Sequence, residues 1–149
     1  MHTVFFEYEG KTYFFGSVRG KTTGFTSDVN QARSELDFLN SQLDAPLPGS
    51  AATRASFVQA MVHREIDIAN DGTMKSRNFF PESLIVEFRT GSPSNGRSHF
   101  RVFLLKSQRI YTNEANLEHA VRTARGLHEL AALDPSKWPE MAEEAGLID

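Results

Sequence analysis

Six aromatic side chains crowd into residues 3–15, and they limit the possible folds more than any other feature of the chain. Phe5, Phe6 and Tyr8 precede Gly10, and Tyr13, Phe14 and Phe15 follow it. The Val, Tyr and Phe content predicts strands over 3–8 and 12–18, and Gly10 offers the positive φ that a tight hairpin turn needs. Neighbouring residues of a strand point to opposite faces, so Phe5/Phe6 and Phe14/Phe15 load both sides of the hairpin. A hairpin with one wet face would alternate apolar with polar residues instead. Something must therefore cover each face, either the rest of this chain or a second copy docked through residues 3–15.

Gly20 and Gly24 indicate a turn and a short third strand ending at Phe25-Thr26. Asp28 with Gln31 has the spacing of a capping box. Val29, Ala32, Leu36, Leu39 and Leu43 then fall on one helical face, which predicts a helix over 28–43 that stops before Pro46. Residues 45–49 are a connector. Residues 51–69 mix helical and strand patterns; the expectation is a helix over 51–63 followed by a strand, with Asn70-Asp71-Gly72 as a turn. Strands are predicted at 83–90 and 98–106, joined by the polar loop 91–97, and a short one at 109–112. A striped helix over 114–132 and a short helix between Pro135 and Gly146 complete the chain.

The order of elements predicts an α+β fold with mainly antiparallel sheet, two principal helices and a short C-terminal one. Residues 1–149 are expected to form one domain, a size at which a chain buries enough apolar surface without staples. Phe25–Asn30 and Tyr111–Asn116 match type for type, each an aromatic, Thr, a polar residue, an acid, a small apolar residue and Asn. They suggest two β-β-β-α units, with pseudo-repeat halves at 1–45 and 73–133. Two helix starts that converged on the same capping chemistry would look alike too.

Composition excludes whole classes of chemistry. With no cysteine there is no disulfide scaffold, thiolate metal site or cysteine nucleophile. No run of residues approaches the length of a membrane span, and MHTVFFEYEGK has no secretory pattern, so a cytoplasmic protein without a membrane partner is expected. Gly16–Thr22 has the ingredients of a phosphate loop but one residue too few between its glycines, and no helix follows. His2, His63, His99, His119 and His128 show no metal-ligand spacing. His119 and His128 are nine residues apart, about two and a half helical turns and hence on opposite faces. No serine lies in a nucleophile elbow. Neither a metal nor a cofactor is expected.

Charge is unevenly placed. The net charge is −3, yet residues 75–109 carry Lys75, Arg77, Arg89, Arg97, Arg101, Lys106 and Arg109 against only Glu82 and Glu87. The last 23 residues are as strongly acidic. If Leu84, Val86 and Phe88 face the core together with Phe100, Val102 and Leu104, the opposite face shows Arg89, His99, Arg101 and Phe103, with Arg97 on the adjoining loop. Arg and aromatics so mixed are typical of an interface. Arg89, Arg97, His99, Arg101 and Phe103 are therefore the expected binding residues. The expected function is a non-enzymatic binding protein or inhibitor docking on a macromolecular target, foremost a protein, of the type found among phage and mobile-element anti-defence or immunity proteins. One alternative is a nucleic-acid-binding accessory protein using segment 75–109. Another is an enzyme whose site is assembled from distant residues.

Overall fold

Two tight turns organise the first sheet. Glu9-Gly10 and Arg19-Gly20 all have positive φ, as a two-residue hairpin turn requires. They join β1 (His2–Tyr8), β2 (Lys11–Val18) and β3 (Lys21–Thr22) into an antiparallel meander. The computed structural model describes residues 1–92, 94–105, 109–114 and 116–131, and for 109–113, 130 and 131 the backbone alone. The expected short helix after Pro135 lies outside the described residues.

α1 (Val29–Ser41) follows, capped by the Asp28 carboxylate, which accepts from the Asn30 and Gln31 N–H groups. The capping box is not completed: the Asp28 N–H bonds to Thr26 Oγ1, and Gln31 Oε1 accepts from that hydroxyl. Leu36 and Ala32 are fully buried against the sheet, and Val29 and Leu39 half-buried. Residues 51–63 do not form the expected helix. A single turn, α2 (Ala51–Arg54), gives way to β4 (Ser56–Gln59) and β5 (Met61–His63). β4 pairs parallel to β1, and β5 pairs antiparallel to β8 (Ser83–Thr90) in a second sheet. One extended segment thus closes an edge of both sheets, with the Ala60 N–H bonded to Phe5 O at the crossing.

β6 (Glu65–Ile68) and β7 (Met74–Arg77) form a separate two-stranded hairpin turning at 69–73. The second sheet runs β10-β9-β8-β5, with β9 (Arg97–Leu104) and β10 (Arg109–Glu114). α3 (Leu117–Ala131) begins later than the expected 114, because β10 continues to Glu114 and Asn116 Oδ1 accepts the His119 N–H as the cap.

The layers stack as helix, sheet, sheet, helix. Val4, Phe6, Phe15 and Phe25 of the first half meet Leu84, Val86, Phe88 and Phe103 of the second in a shared core. Phe103 touches Phe6, Phe15 and Phe25 with ring centroids 5.0–6.2 Å apart. Leu36 packs on Val18 outside the first sheet, and Ala120, Ala124 and Leu127 of α3 pack on Ile85, Val102 and Leu104 outside the second. The fold is α+β with mostly antiparallel strands. The second sheet covers the Val4, Phe6 and Phe15 face of the aromatic hairpin, and α1 packs on the other face, where Phe5 and Phe14 stay half-buried. No helix among the described residues is long and apolar enough to cross a membrane.

Candidate functional site

The β8–β9 register decides where the expected binding residues go. Thr90 pairs with Arg97 across the loop, so even residues of β8 stand opposite odd residues of β9. Phe88, Val86 and Leu84 therefore share a face with His99, Arg101 and Phe103, not with Phe100, Val102 and Leu104. That face is the inter-sheet core. Arg101 and Phe103 are both 0% exposed. The expected surface is not formed: Phe103 is a core ring, and Arg101 is an interior cation. Arg101 Nη2 donates to Gly20 O in the other sheet (3.3 Å) and Nη1 donates to Phe100 O (3.1 Å). Its guanidinium lies 5.6 Å from the Phe88 ring centroid. Arg89 and Arg97 are exposed, and His99 is half-buried, stacked on Phe88 at 5.0 Å.

The basic segment 75–109 is likewise dispersed. Arg77 is engaged with Glu65 and Asp67 on the β6–β7 hairpin, both at 3.2 Å. Arg89 and Arg97 sit at the same loop end of β8 and β9 but on opposite faces, Arg101 is inside, and Lys106 and the Arg109 side chain lie outside the described residues.

Three other features were not anticipated. Beside β5, His63 Nε2 and Glu87 Oε1 are 2.8 Å apart, next to the Phe100 ring. A cavity of about 400 Å³ lies nearby, lined by Ala60, Met61, Glu87, Phe88 and Arg89 among others. The pair could move a proton, yet the cavity lining brings no hydroxyl or further base to it. A second cleft, between Thr22–Gly24 and the Phe38 side of α1, is mainly apolar. Among the described residues no three His, Asp or Glu side chains gather in a way that could hold a metal ion.

The third feature is the β6–β7 hairpin. Ile66 pairs with Ser76 and Ile68 with Met74, so the three apolar side chains share one face. They are 62%, 71% and 70% exposed. The other face carries Glu65, Asp67, Lys75 and Arg77, tied by the two Arg77 ion pairs. The chain matches no family model, no curated protein and no solved structure. Its own geometry is what speaks for its function. Sequence inspection missed the hairpin because Met74-Lys75-Ser76-Arg77 has a single apolar residue. The available signal was Asn70-Asp71-Gly72, a turn flanked by Ile66, Ile68 and Met74.

Burial first, and then neighbouring cations, hold the His2 and His99 imidazoles below the ordinary value of 6.5. Unfolding releases both to that value, so the unfolded chain takes up protons first as pH falls. Stability is thus expected to decline on acidification below about pH 6.5. Urea midpoints at pH 8 and pH 5.5 test this, and His99→Gln should reduce the difference between them.

Proposed function

We propose that this chain is a binding protein that docks through the apolar face of β6–β7 into an apolar groove of another protein. The observation that carries the reading is the simultaneous exposure of Ile66, Ile68 and Met74 on one face. A lone two-stranded hairpin is marginal in water, and large apolar side chains gathered at its surface favour contact with a partner. Residues 64–77 carry Arg64, Lys75 and Arg77 against Glu65, Asp67 and Asp71, a neutral balance that suits an uncharged groove rather than nucleic acid.

A second copy is a poorer occupant. Three side chains from each copy make a face too small by itself for the about 1,200 Å² that a stable interface buries. A groove that also contacts the hairpin edges supplies the difference. We assign blocking as the mode of action, because a protruding neutral hairpin fills a groove and brings no reactive group with it. Such an inhibitor, in the manner of phage or immunity proteins, would work in the cytoplasm, where a cysteine-free chain is at no disadvantage.

A photo-crosslinking residue at Met74, on the same face, should give a discrete protein adduct in native extract, unaffected by nuclease. Ile66→Ser with Ile68→Ser should lose the adduct and weaken the purified complex by about thirtyfold or more, as truncation of anchor residues does. Circular dichroism should stay unchanged, since both side chains are exposed. An unaltered adduct in the folded double variant would sink the reading, and a nuclease-sensitive one would favour the nucleic-acid alternative.

A further inference from the structure

The chain changes sheets at Ala60, and the change leaves two stretches of strand edge uncovered beside each other. β5 covers β8 only over Ile85–Glu87, with Met61 opposite Glu87. The residue before Met61, Ala60, has left for the first sheet, where its N–H donates to Phe5 O (2.8 Å). β8 runs on to Thr90 with no strand on that side. One bond fixes which way its main chain points: the Leu105 N–H donates to Glu82 O (2.9 Å). Such bonds alternate along an antiparallel pair, so Leu84, Val86, Phe88 and Thr90 turn their N–H and C=O groups to β9. Glu87 and Arg89 turn theirs the other way. Glu87 meets Met61 there, and Arg89 meets no strand.

On the first sheet the same reasoning picks out Gln59. Ser56 and Ala60 give their N–H groups to Met1 O and Phe5 O, so Phe57 and Gln59 direct theirs out from the edge. Gln59 and Arg89 line one cavity of about 400 Å³, together with Ala60, Met61, Glu87 and Phe88. Ligand pockets ordinarily measure about 300–1,000 Å³. The charged heads at this cavity are drawn aside. Glu87 Oε1 is 2.8 Å from His63 Nε2, and the Arg89 guanidinium sits beside Gly96. What remains on offer is main chain from two sheets and the exposed Met61 side chain.

We propose that this cavity binds an extended, uncharged peptide segment of a partner, which adds a short strand to β8 beyond the end of β5. An extended segment carries N–H and C=O groups along both of its edges, so one edge serves Arg89 and the other serves Gln59. A compact ligand with a single amide satisfies only one of the two. Proteins usually guard such an edge with charge or proline, and Ser56–Gln59 has neither. An uncharged side chain opposite Arg89 lies on the same face as Met61 and packs on its thioether. This site is independent of the apolar face of β6–β7.

Backbone amide resonances of the full chain test the proposal. The probes are the tripeptides of alanine, threonine and valine, each N-acetylated and C-amidated. At least one should shift the Gln59 and Arg89 amide signals saturably at millimolar concentration. Methylating the amide nitrogen of its central residue removes a donor and should weaken binding about tenfold or more. Gln59→Pro deletes an N–H that points away from β1 and so spares the ladder, a place where an edge strand accepts proline. It should weaken the same peptide several-fold with an unchanged circular dichroism spectrum. If that variant does not fold, the methylated peptide decides alone. The proposal is overturned if no tripeptide moves both signals at tens of millimolar, or if methylation leaves the affinity as it was. Shifts confined to Ile66, Ile68 and Met74 would put the peptide on the hairpin and overturn it too.

Discussion

Arg101→Glu is expected to leave almost no folded protein, although Arg89→Glu and Arg97→Glu should be nearly silent. Arg101 is fully buried between the sheets, where its guanidinium bonds to Gly20 O and Phe100 O and lies over Phe88. A glutamate there cannot donate to those carbonyls, and its charge would face the negative face of the ring. An uncompensated buried charge costs about 3–5 kcal/mol, comparable with the whole stability of a small domain. Arg89 and Arg97 are exposed, and changes of that kind typically stay within about 0.5 kcal/mol. Arg101→Met is the informative control. It keeps an apolar stem opposite Val86 and loses the guanidinium's polar links and its contact with Phe88, so about 1–3 kcal/mol is expected. Urea unfolding followed by circular dichroism reads all four variants. A parental midpoint for Arg101→Glu would mean that the guanidinium is not in the interior.

Gly16→Ala should be nearly as damaging, for a different reason. A Cβ at Gly16 would lie 2.6 Å from Leu36 Cβ and 2.9 Å from its Cδ1. The strand cannot retreat, because Gly16 N–H donates to Thr23 Oγ1 and Gly16 O accepts the Thr23 N–H. The whole of α1 must lift instead, at about 3 kcal/mol, the upper part of the usual overpacking range. Leu36→Ala alone should cost about 2–5 kcal/mol through the cavity it leaves. Combined, the two changes should cost at least about 1 kcal/mol less than their sum, since each relieves part of what the other does. Simple additivity in the double variant would show that helix and strand are not in contact at this point.

What the sequence disclosed depended on how each element is covered. α1 was legible because one stripe is buried and the rest is wet, which leaves a clear period from Ala32 through Leu36 to Leu39. The β8–β9 face was not legible, since strands covered on both sides lose their alternation and Val86 and Ile85 look equivalent. Pairing of Thr90 with Arg97 fixes the register there, setting Arg101 opposite Val86 with its guanidinium over Phe88. Arginine is so commonly a surface residue that its place among Phe100, Val102 and Phe103 was the only sign of an interior one. The period of Ala51, Ala52, Ala55, Val58 and Val62 predicts a helix over 51–63, yet only Ala51–Arg54 makes a turn of it, and Val58 and Val62 lie in two edge strands. The two helix starts do not align by their capping groups either. The matched motif sets Asp28 against Glu114, whereas the caps are Asp28 and Asn116. The likeness lies in architecture, a three-stranded meander with a helix on its outer side, repeated in both halves.

The segment 56–63 has a consequence for how the chain comes into being. β1 is the first strand to be synthesised, but its parallel partner β4 is made more than fifty residues later, and the same segment must then bind β8, which comes later still. Vectorial synthesis therefore yields no finished half: a nascent chain ending at residue 45 lacks the edge of its own sheet and the second sheet that covers Val4, Phe6 and Phe15. Such a fragment, made alone, should stay sticky and protease-sensitive, and the two sheets should gain amide protection together in one slow step, as long-range pairing demands.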